Sequence, residues 1–320
     1  MTSPAGAGSG SSGRPTPMQP GSQSDDVETG ALLDELAAQL GDGARHEARF
    51  IVDEVLAAGA AGPGGARPSV VPAEAAARAR AMAVRRAAGE PLQYIFGHWQ
   101  FRHLDLRVDA RVLIPRPETE QVVEVALREG RRLVDLRPGA GLVVVDAGTG
   151  SGAIALALAS ELGAGAAEVW ATDVSAGSLE VAAANVHACG GSVPGVALAQ
   201  GSWLTPLPGR LRGRIDLVVS NPPYVSEEEW AGLDPEVRAE PREALVAGPG
   251  RDGVPGLADV EAVLEQAGLW LGRPGAVIIE LAPHQAGAAQ DRARQLGYDE
   301  VRVDADLAGR PRALVARRGG

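Results

Sequence analysis

The stretch "VVVDAGTGSGAIALALA", residues 143–159, decides the fold. The β-branched run Val143–Val145 gives way at Asp146 to a loop in which Gly148, Gly150 and Gly152 alternate with Thr149 and Ser151. An Ala/Leu run of high helical propensity follows. Strand, glycine turn and helix make the first half of a βαβ unit. The glycines let the backbone turn tightly and let a ligand approach with no Cβ in the way, while the new helix brings free N–H groups to the turn. Gly148-x-Gly150-x-x-Ala153 also fits the loose dinucleotide pattern, which is weak evidence by itself. A nicotinamide dinucleotide would need this loop to cradle a pyrophosphate. The loop, with an acid two positions before its first glycine, suits a nucleoside cofactor and leaves its identity open.

Apolar β runs keep alternating with helical stretches downstream: "EVWATD", "SLEVAAANVHAC", "VALAQG", "IDLVVSN" and "GAVIIELA". That alternation predicts a parallel, doubly wound α/β sheet, whose ligands sit outside the carboxyl ends of the strands. The loops after Val145, Thr172, Ala199 and Ser220 are therefore the ones to read. Asp173 ends the second strand, where an acid can accept hydrogen bonds from both ribose hydroxyls. The third loop carries Ser202 and Trp203, and the planar indole suits an adenine ring. The alternative readings are a tight turn with a helix-capping Asp, and a Trp that plugs the domain surface.

The fourth strand stops at Asn221-Pro222-Pro223-Tyr224. Two prolines remove two backbone donors, and the residue before a proline is pushed to an extended conformation. The loop thus presents acceptors, the Asn221 side-chain oxygen and backbone carbonyls, to a substrate that donates two hydrogen bonds from one NH₂ group. An amide or aromatic NH₂ is a poor nucleophile. Holding its N–H bonds orients it toward an electrophile and stabilises the positive charge that develops on nitrogen. The Tyr224 ring offers a flat wall. A proline-stiffened turn with no chemistry is the bland alternative.

The chain has 320 residues, 45% of them apolar, and a formal net charge of −11. That charge lacks the basic footprint of a nucleic-acid binder. Arg78, Arg80, Arg85 and Arg86 cluster, and we read them as a solvated helix face rather than a phosphate site. Cys189 stands alone, which excludes an internal disulfide and points to a reducing, cytoplasmic compartment. No apolar run has the length of a membrane span, and the scattered histidines show no metal-ligand spacing.

Residues 1–27 are nearly devoid of large apolar side chains and are expected to be a disordered tail. Residues 28–90 read as a small helical domain, with "GPGGARP" (62–68) as a linker inside it. Residues 91–115 read as a linking β-hairpin, from the alternation in "WQFRHLDLRV". Residues 116–320 read as the catalytic α/β domain.

Taken together, these residues resemble the protein-(glutamine-N5) methyltransferases that modify peptide-chain release factors. The resemblance runs from about Pro91 to Arg317 and rests on "PLQYIFGHWQF", "VLIPRPETE", "DAGTGSGAIALALA", "ATDVS", "SNPPYV", "EPREAL" and "DLAGRPRALVARR". The NPPY motif alone is shared with adenine-N6 methyltransferases of DNA. "PLQYIFG", "LIPRPETE" and "DLAGRPR" are particular to the release-factor branch. The resemblance implies a class I S-adenosylmethionine-dependent methyltransferase, a Rossmann-like doubly wound sheet with a small N-terminal helical domain and a linking hairpin. It implies cofactor contacts from Gly148, Thr149, Gly150, Ser151, Gly152, Asp173, Trp203 and Asn221. It implies substrate contacts from Asn221, Pro222, Pro223 and Tyr224, with catalysis carried by Asn221, Pro222 and Tyr224. The implied target is the glutamine of the GGQ loop of class 1 release factors, and "IPRPETE" (114–120) would lie close to cofactor and glutamine. The chain departs from the pattern at Ser202, where many relatives carry an acid, and at Ala239, where an aromatic is common. A monomer with no membrane or direct nucleic-acid partner is expected.

Three other functions fit the sequence less well. An amino-methyltransferase of adenine or guanine in nucleic acid needs a basic groove and room for a flipped base. A nicotinamide oxidoreductase has no use for NPPY. A non-enzymatic binding module would show a decayed glycine loop or NPPY, and both are intact.

Overall fold

The computed structural model describes residues 26–41, 43–57, 68–163, 167–190 and 195–319. The tail expected over residues 1–27 lies outside the described residues up to residue 25, as does the 62–67 part of the expected linker. Val27 departs from that expectation: with Glu28 it forms strand β1 (Val27–Glu28), and it pairs with Val71. The first unit continues with α1 (Thr29–Leu40), α2 (Arg45–Ala57), β2 (Val70–Val71) and the start of α3 (Ala73–Ala87). It closes at Val84 within α3, earlier than residue 90. Leu32 and Leu36 of α1 and Ile51, Val52 and Val55 of α2 recur at helical spacing and are fully buried or nearly so. Ala76 and Ala79 present only methyl groups to the interior of this unit. The Arg78–Arg86 cluster is neutralised by carboxylates: Arg80 forms a two-pronged pair with Glu35 at 2.7 and 2.8 Å, Arg85 holds Glu90, and Arg86 reaches Glu236 at 2.8 Å.

The second unit begins with α4 (Leu92–Phe96) and the hairpin β3 (His98–Phe101) and β4 (Leu104–Arg107). The hairpin is therefore shorter than the expected 91–115. "LQYIF" makes a helical turn, closed by Gly97 in the left-handed region. Helix α5 (Pro117–Leu136) starts with proline at its first position, after the extended Arg116, and carries Glu118 and Glu120 in its first turn. Then follow β5 (Leu142–Ala147), α6 (Ala153–Leu162), β6 (Ala167–Asp173), α7 (Ala176–Cys189), β7 (Val196–Gln200), β8 (Ile215–Ser220), the short α8 (Glu227–Trp230) and α9 (Pro235–Arg238), α10 (Ala258–Trp270), β9 (Leu271–Glu280), α11 (Ala286–Gln295), β10 (Glu300–Ala305) and β11 (Pro311–Arg318).

Among the described residues the main sheet has the order β10-β11-β9-β8-β5-β6-β7. The chain runs outward from β5 to β7, then returns to the other side of β5 with β8. That reversal is the switch point where a doubly wound sheet opens a crevice. Every residue of β8 is buried, so it is a central strand with apolar cover on both faces. The sheet is not wholly parallel, because β11 runs antiparallel between β9 and β10. The final pair is joined by the tight turn Asp306–Arg310, and so short a connection permits only an antiparallel partner. No helix of the described residues is long and apolar enough to cross a membrane.

Glu129 of α5, 2% exposed, ties that helix to the edge of the sheet. Arg132, Arg302 and Arg317 approach it at 2.8, 3.0 and 2.5 Å. Burial pushes its carboxyl up, but the guanidinium groups more than offset this and leave it at about 2. A lowered folded-state value stabilises the fold above the unfolded value and loses that contribution as pH falls. Glu129→Gln should cost about 2–3 kcal/mol of unfolding free energy at neutral pH. In urea titrations the wild-type advantage should shrink as pH drops from about 4.5 toward 2. An advantage independent of pH would contradict the pairing.

Candidate active site

The switch point brings the glycine loop and the proline loop side by side. β5 and β8 pair in parallel with Asp146 opposite Val219, and the Ser220 hydroxyl donates to the Ala147 carbonyl at 2.6 Å. Between the loops lies a cleft of about 280 Å³. Of the sequence-predicted residues, Gly148, Thr149, Gly150, Ser151, Asp173, Trp203, Asn221 and Pro223 line it. Gly152 does not line the cleft; it is the left-handed residue that starts α6. Pro222 and Tyr224 line a narrow recess of about 30 Å³ next door, together with Arg116 and Leu245. Asn221 belongs to both spaces and stands at their junction.

The glycine loop is fastened from two sides. Asp173 accepts from Gly150 N–H and from Ser175 N–H, both at 2.9 Å, through different carboxylate oxygens. Each oxygen keeps a lone pair for another donor. Asp146 is fully buried, and one of its oxygens accepts from the Thr149 hydroxyl at 2.6 Å and from Ala155 N–H at 3.0 Å. Its other oxygen has no partner among the described residues. Burial pushes this carboxyl up to about 7 against the pull of those two donors, and the neighbouring Asp173 adds to the rise. Asp146 is thus a clasp for the loop rather than a group facing the cleft.

Trp203 adopts a left-handed backbone, φ 51°, unusual for a bulky residue. Its ring lies against Gly148, itself at φ 76°, where a Cβ would come within 3.0 Å of the indole. The contact requires glycine on both counts.

The proline loop is braced from behind. Tyr224 N–H and Val225 N–H both donate to the Leu245 carbonyl, at 3.2 and 2.9 Å. Gln285, fully buried, donates to the Tyr224 carbonyl at 2.9 Å. Gly256, at φ 69°, passes so close to that carbonyl that any side chain would collide with it. These bonds occupy the Tyr224 backbone and leave Asn221 facing inward. Asn221 Nδ2 donates to Thr119 Oγ1 at 3.2 Å, and its Oδ1 is buried with no partner among the described residues. A buried acceptor without a donor is costly unless something arrives to satisfy it.

A family profile described as "Methyltransferase domain" matches residues 144–239, and one described as "PrmC N-terminal domain" matches residues 31–97. A release factor glutamine methyltransferase of Moorella thermoacetica is 43% identical over 236 residues, 73% of this chain and 77% of its own. Another, of Cereibacter sphaeroides, is 37% identical over 288 residues, 90% of this chain and 96% of its own. That of Streptomyces coelicolor is 40% identical over 237 residues, covering 73% and 78%. The chain belongs to the release factor glutamine methyltransferase family. Its second unit has the class I S-adenosylmethionine-dependent methyltransferase fold.

The segments particular to that family converge on the cleft. From "PLQYIFG", the Tyr94 hydroxyl donates to the Val112 carbonyl at 2.6 Å. From "EPREAL", Glu240, 4% exposed, accepts from Ile114 N–H at 2.9 Å and pairs with Arg116. Together they hold the segment whose Arg111, Leu113 and Pro115 line the cleft. From "LIPRPETE" comes Thr119, and from "DLAGRPR" comes Arg312, which lies 4.0 Å from Glu280. Glu280, at the end of β9, escaped the sequence reading, as did Asp259 and Glu243, two carboxylates that line the cleft together with Ser202. The apolar run "GAVIIELA" marks the strand end, but its glutamate takes on meaning only when Thr119 and Tyr224 fold against it.

Two measurements check this geometry. Gly148→Ala should weaken S-adenosylmethionine binding by about 10-fold or more in calorimetric titration, since the new methyl displaces Trp203 and strains the turn; unchanged affinity would remove the loop from the cofactor site. Asp146→Asn keeps the acceptor for Thr149 and Ala155 but carries no charge. An acid whose folded value is raised loses stability as pH climbs from its unfolded value, 3.8, to its folded one, about 7. The melting temperature of Asp146→Asn relative to wild type should therefore rise between pH 5 and 8. A constant difference would contradict the assignment.

Proposed function

We propose that this protein transfers the methyl group of S-adenosylmethionine to the side-chain amide nitrogen, N5, of the glutamine in the GGQ loop of class 1 release factors. The relatives' shared name supports the substrate. The observation that carries the chemistry is the buried, unpartnered Asn221 Oδ1 at the junction of a nucleoside-sized cleft and a narrow recess.

The residues present suit the cofactor. Gly148 to Gly152 offer a backbone without side chains, Asp173 retains lone pairs for ribose hydroxyls, and Trp203 offers an aromatic face to the adenine. When bound, S-adenosylmethionine supplies an electrophilic methyl group on a sulfonium. Everything else is the work of the chain. Asn221 Oδ1 accepts one N–H of the glutamine amide, and the Pro222 carbonyl, which accepts no hydrogen bond among the described residues, accepts the other. These acceptors turn the nitrogen lone pair toward the cleft and stabilise positive charge as it grows on nitrogen. The Tyr224 ring walls the recess. Its phenol stays protonated, because burial and then the neighbouring Glu280 push its ionisation up. No base is needed before transfer: as the nitrogen–methyl bond forms, the sulfonium–methyl bond breaks to leave the neutral thioether, and the N-protonated methyl amide so formed is a strong acid that releases its proton to water. Release factors act at the ribosome, so the reaction belongs in the cytoplasm.

Purified enzyme, labelled S-adenosylmethionine and a class 1 release factor provide the test. Label should enter the wild-type factor and not one whose GGQ glutamine is alanine; label in both, or in neither, contradicts the proposal. Asn221→Ala should keep cofactor affinity within a few-fold and lose about 100-fold in kcat, on the order of 3 kcal/mol of transition-state stabilisation.

A further inference from the structure

The amide of Asn221 works only one way round. With Oδ1 toward the recess it accepts from an incoming NH₂, whereas with Nδ2 there it would repel one. We infer that Glu280, acting through the hydroxyl of Thr119, fixes that orientation, so that both are positioning residues for methyl transfer. The inference rests on the function proposed above only for the identity of the methyl acceptor.

Hydrogen-bond polarity carries the reasoning. Glu280 is fully buried, and its Oε2 lies 2.7 Å from Thr119 Oγ1. In that bond the Thr119 hydroxyl donates its only proton to Glu280. Thr119 Oγ1 can then only accept from its other neighbour, Asn221, 3.2 Å away. Asn221 must therefore turn Nδ2 to Thr119, which leaves the buried Oδ1 without a partner among the described residues.

The far side of Glu280 holds it in place. Its Oε1 accepts from the Tyr224 hydroxyl at 3.3 Å and faces the Arg312 guanidinium at 4.0 Å. Arg312 donates to the Leu281 carbonyl at 3.4 Å and lies 3.7 Å from Asp306, which is itself bound by Arg310 at 2.8 Å. Burial pushes the Glu280 carboxyl up, while Thr119, Arg312 and Tyr224 pull it back, and Glu118 opposes them. One carboxylate thus orients Thr119, and through it Asn221, on one side and Tyr224 on the other.

A purely structural Glu280–Arg312 pair makes a different prediction from this relay. In Glu280→Gln the shape is kept. Arg312, a donor only, draws the new amide's carbonyl to its side and turns the NH₂ toward Thr119. Thr119 must then accept from Gln and donate to Asn221, which reverses the Asn221 amide. The relay predicts a kcat at least about 10-fold below wild type with cofactor affinity within a few-fold. Thr119→Val should behave alike, and Thr119→Ser should restore most of the rate. In an Asn221→Ala background neither Glu280→Gln nor Thr119→Val should lower kcat further, since all act through one amide.

NMR supplies a readout independent of any substrate. In wild-type protein the Asn221 Nδ2 protons should show nuclear Overhauser contacts to the Thr119 methyl, and in Glu280→Gln those contacts should vanish. Wild-type kcat in Glu280→Gln and Thr119→Val, losses that add to that of Asn221→Ala, or contacts that persist in Glu280→Gln would each overturn the relay. A release factor that stays unmethylated by the wild type would overturn the function instead, with the NMR contacts still deciding the relay.

Discussion

The pairing of β5 with β8 is the constraint on which the rest depends. The chain leaves β5 in one direction, builds β6 and β7, and returns to the opposite side of β5 with β8. Two strands that are distant in sequence thereby end side by side, and their carboxyl ends carry the glycine loop and the proline loop. The Ser220 hydroxyl, buried against the Ala147 carbonyl, locks their relative height. A crevice opens there because neighbouring connections leave to opposite faces of the sheet. Were β8 to slip by one residue, Asn221 would turn from cleft to core.

Around that crevice the molecule uses buried polar groups as fasteners. Asp146 holds Thr149 and the first turn of α6, Asp173 holds Gly150, Glu240 holds Ile114 and Arg116, Gln285 holds Tyr224, and Glu280 holds Thr119. Each is a group that costs free energy to bury and recovers it only through a particular bond. Such bonds favour one loop conformation over its neighbours more than they stabilise the fold. A site that positions a weak nucleophile needs that selectivity, because small displacements of the reacting atoms cost large factors in rate.

The parallel strands near the site were legible because β5, β6 and β7 are short and alternate with the Ala-rich helices α6 and α7. The loops were legible because Gly148, Gly150, Asn221 and Pro222 have local reasons to be what they are. Less was legible where the reason is non-local. "LQYIF" reads as part of a hairpin, since its aromatics suit a strand, yet Gly97 and the burial of Leu92, Tyr94 and Ile95 make it a helical turn. The reversed β11 was missed because strand direction follows from the Asp306–Arg310 turn and not from the residues of the strand. Glu280 was invisible because its partners, Thr119 and Tyr224, lie far from it along the chain. Asp146 shows the same limit from the other side: its place in the motif marks it as important, and only the fold shows that it faces inward as a clasp.

The chemistry then reduces to the direction of one amide. A cleft suited to S-adenosylmethionine and a narrow recess meet at Asn221, whose oxygen is left free by a neighbour that can only accept. A crystal structure of the enzyme with S-adenosylhomocysteine and a release-factor peptide containing the GGQ glutamine tests this most directly. The glutamine amide nitrogen should lie within about 3 Å of Asn221 Oδ1, with Nδ2 still on Thr119. A glutamine side chain bound elsewhere, or held by Asn221 through its carbonyl oxygen, would contradict the account.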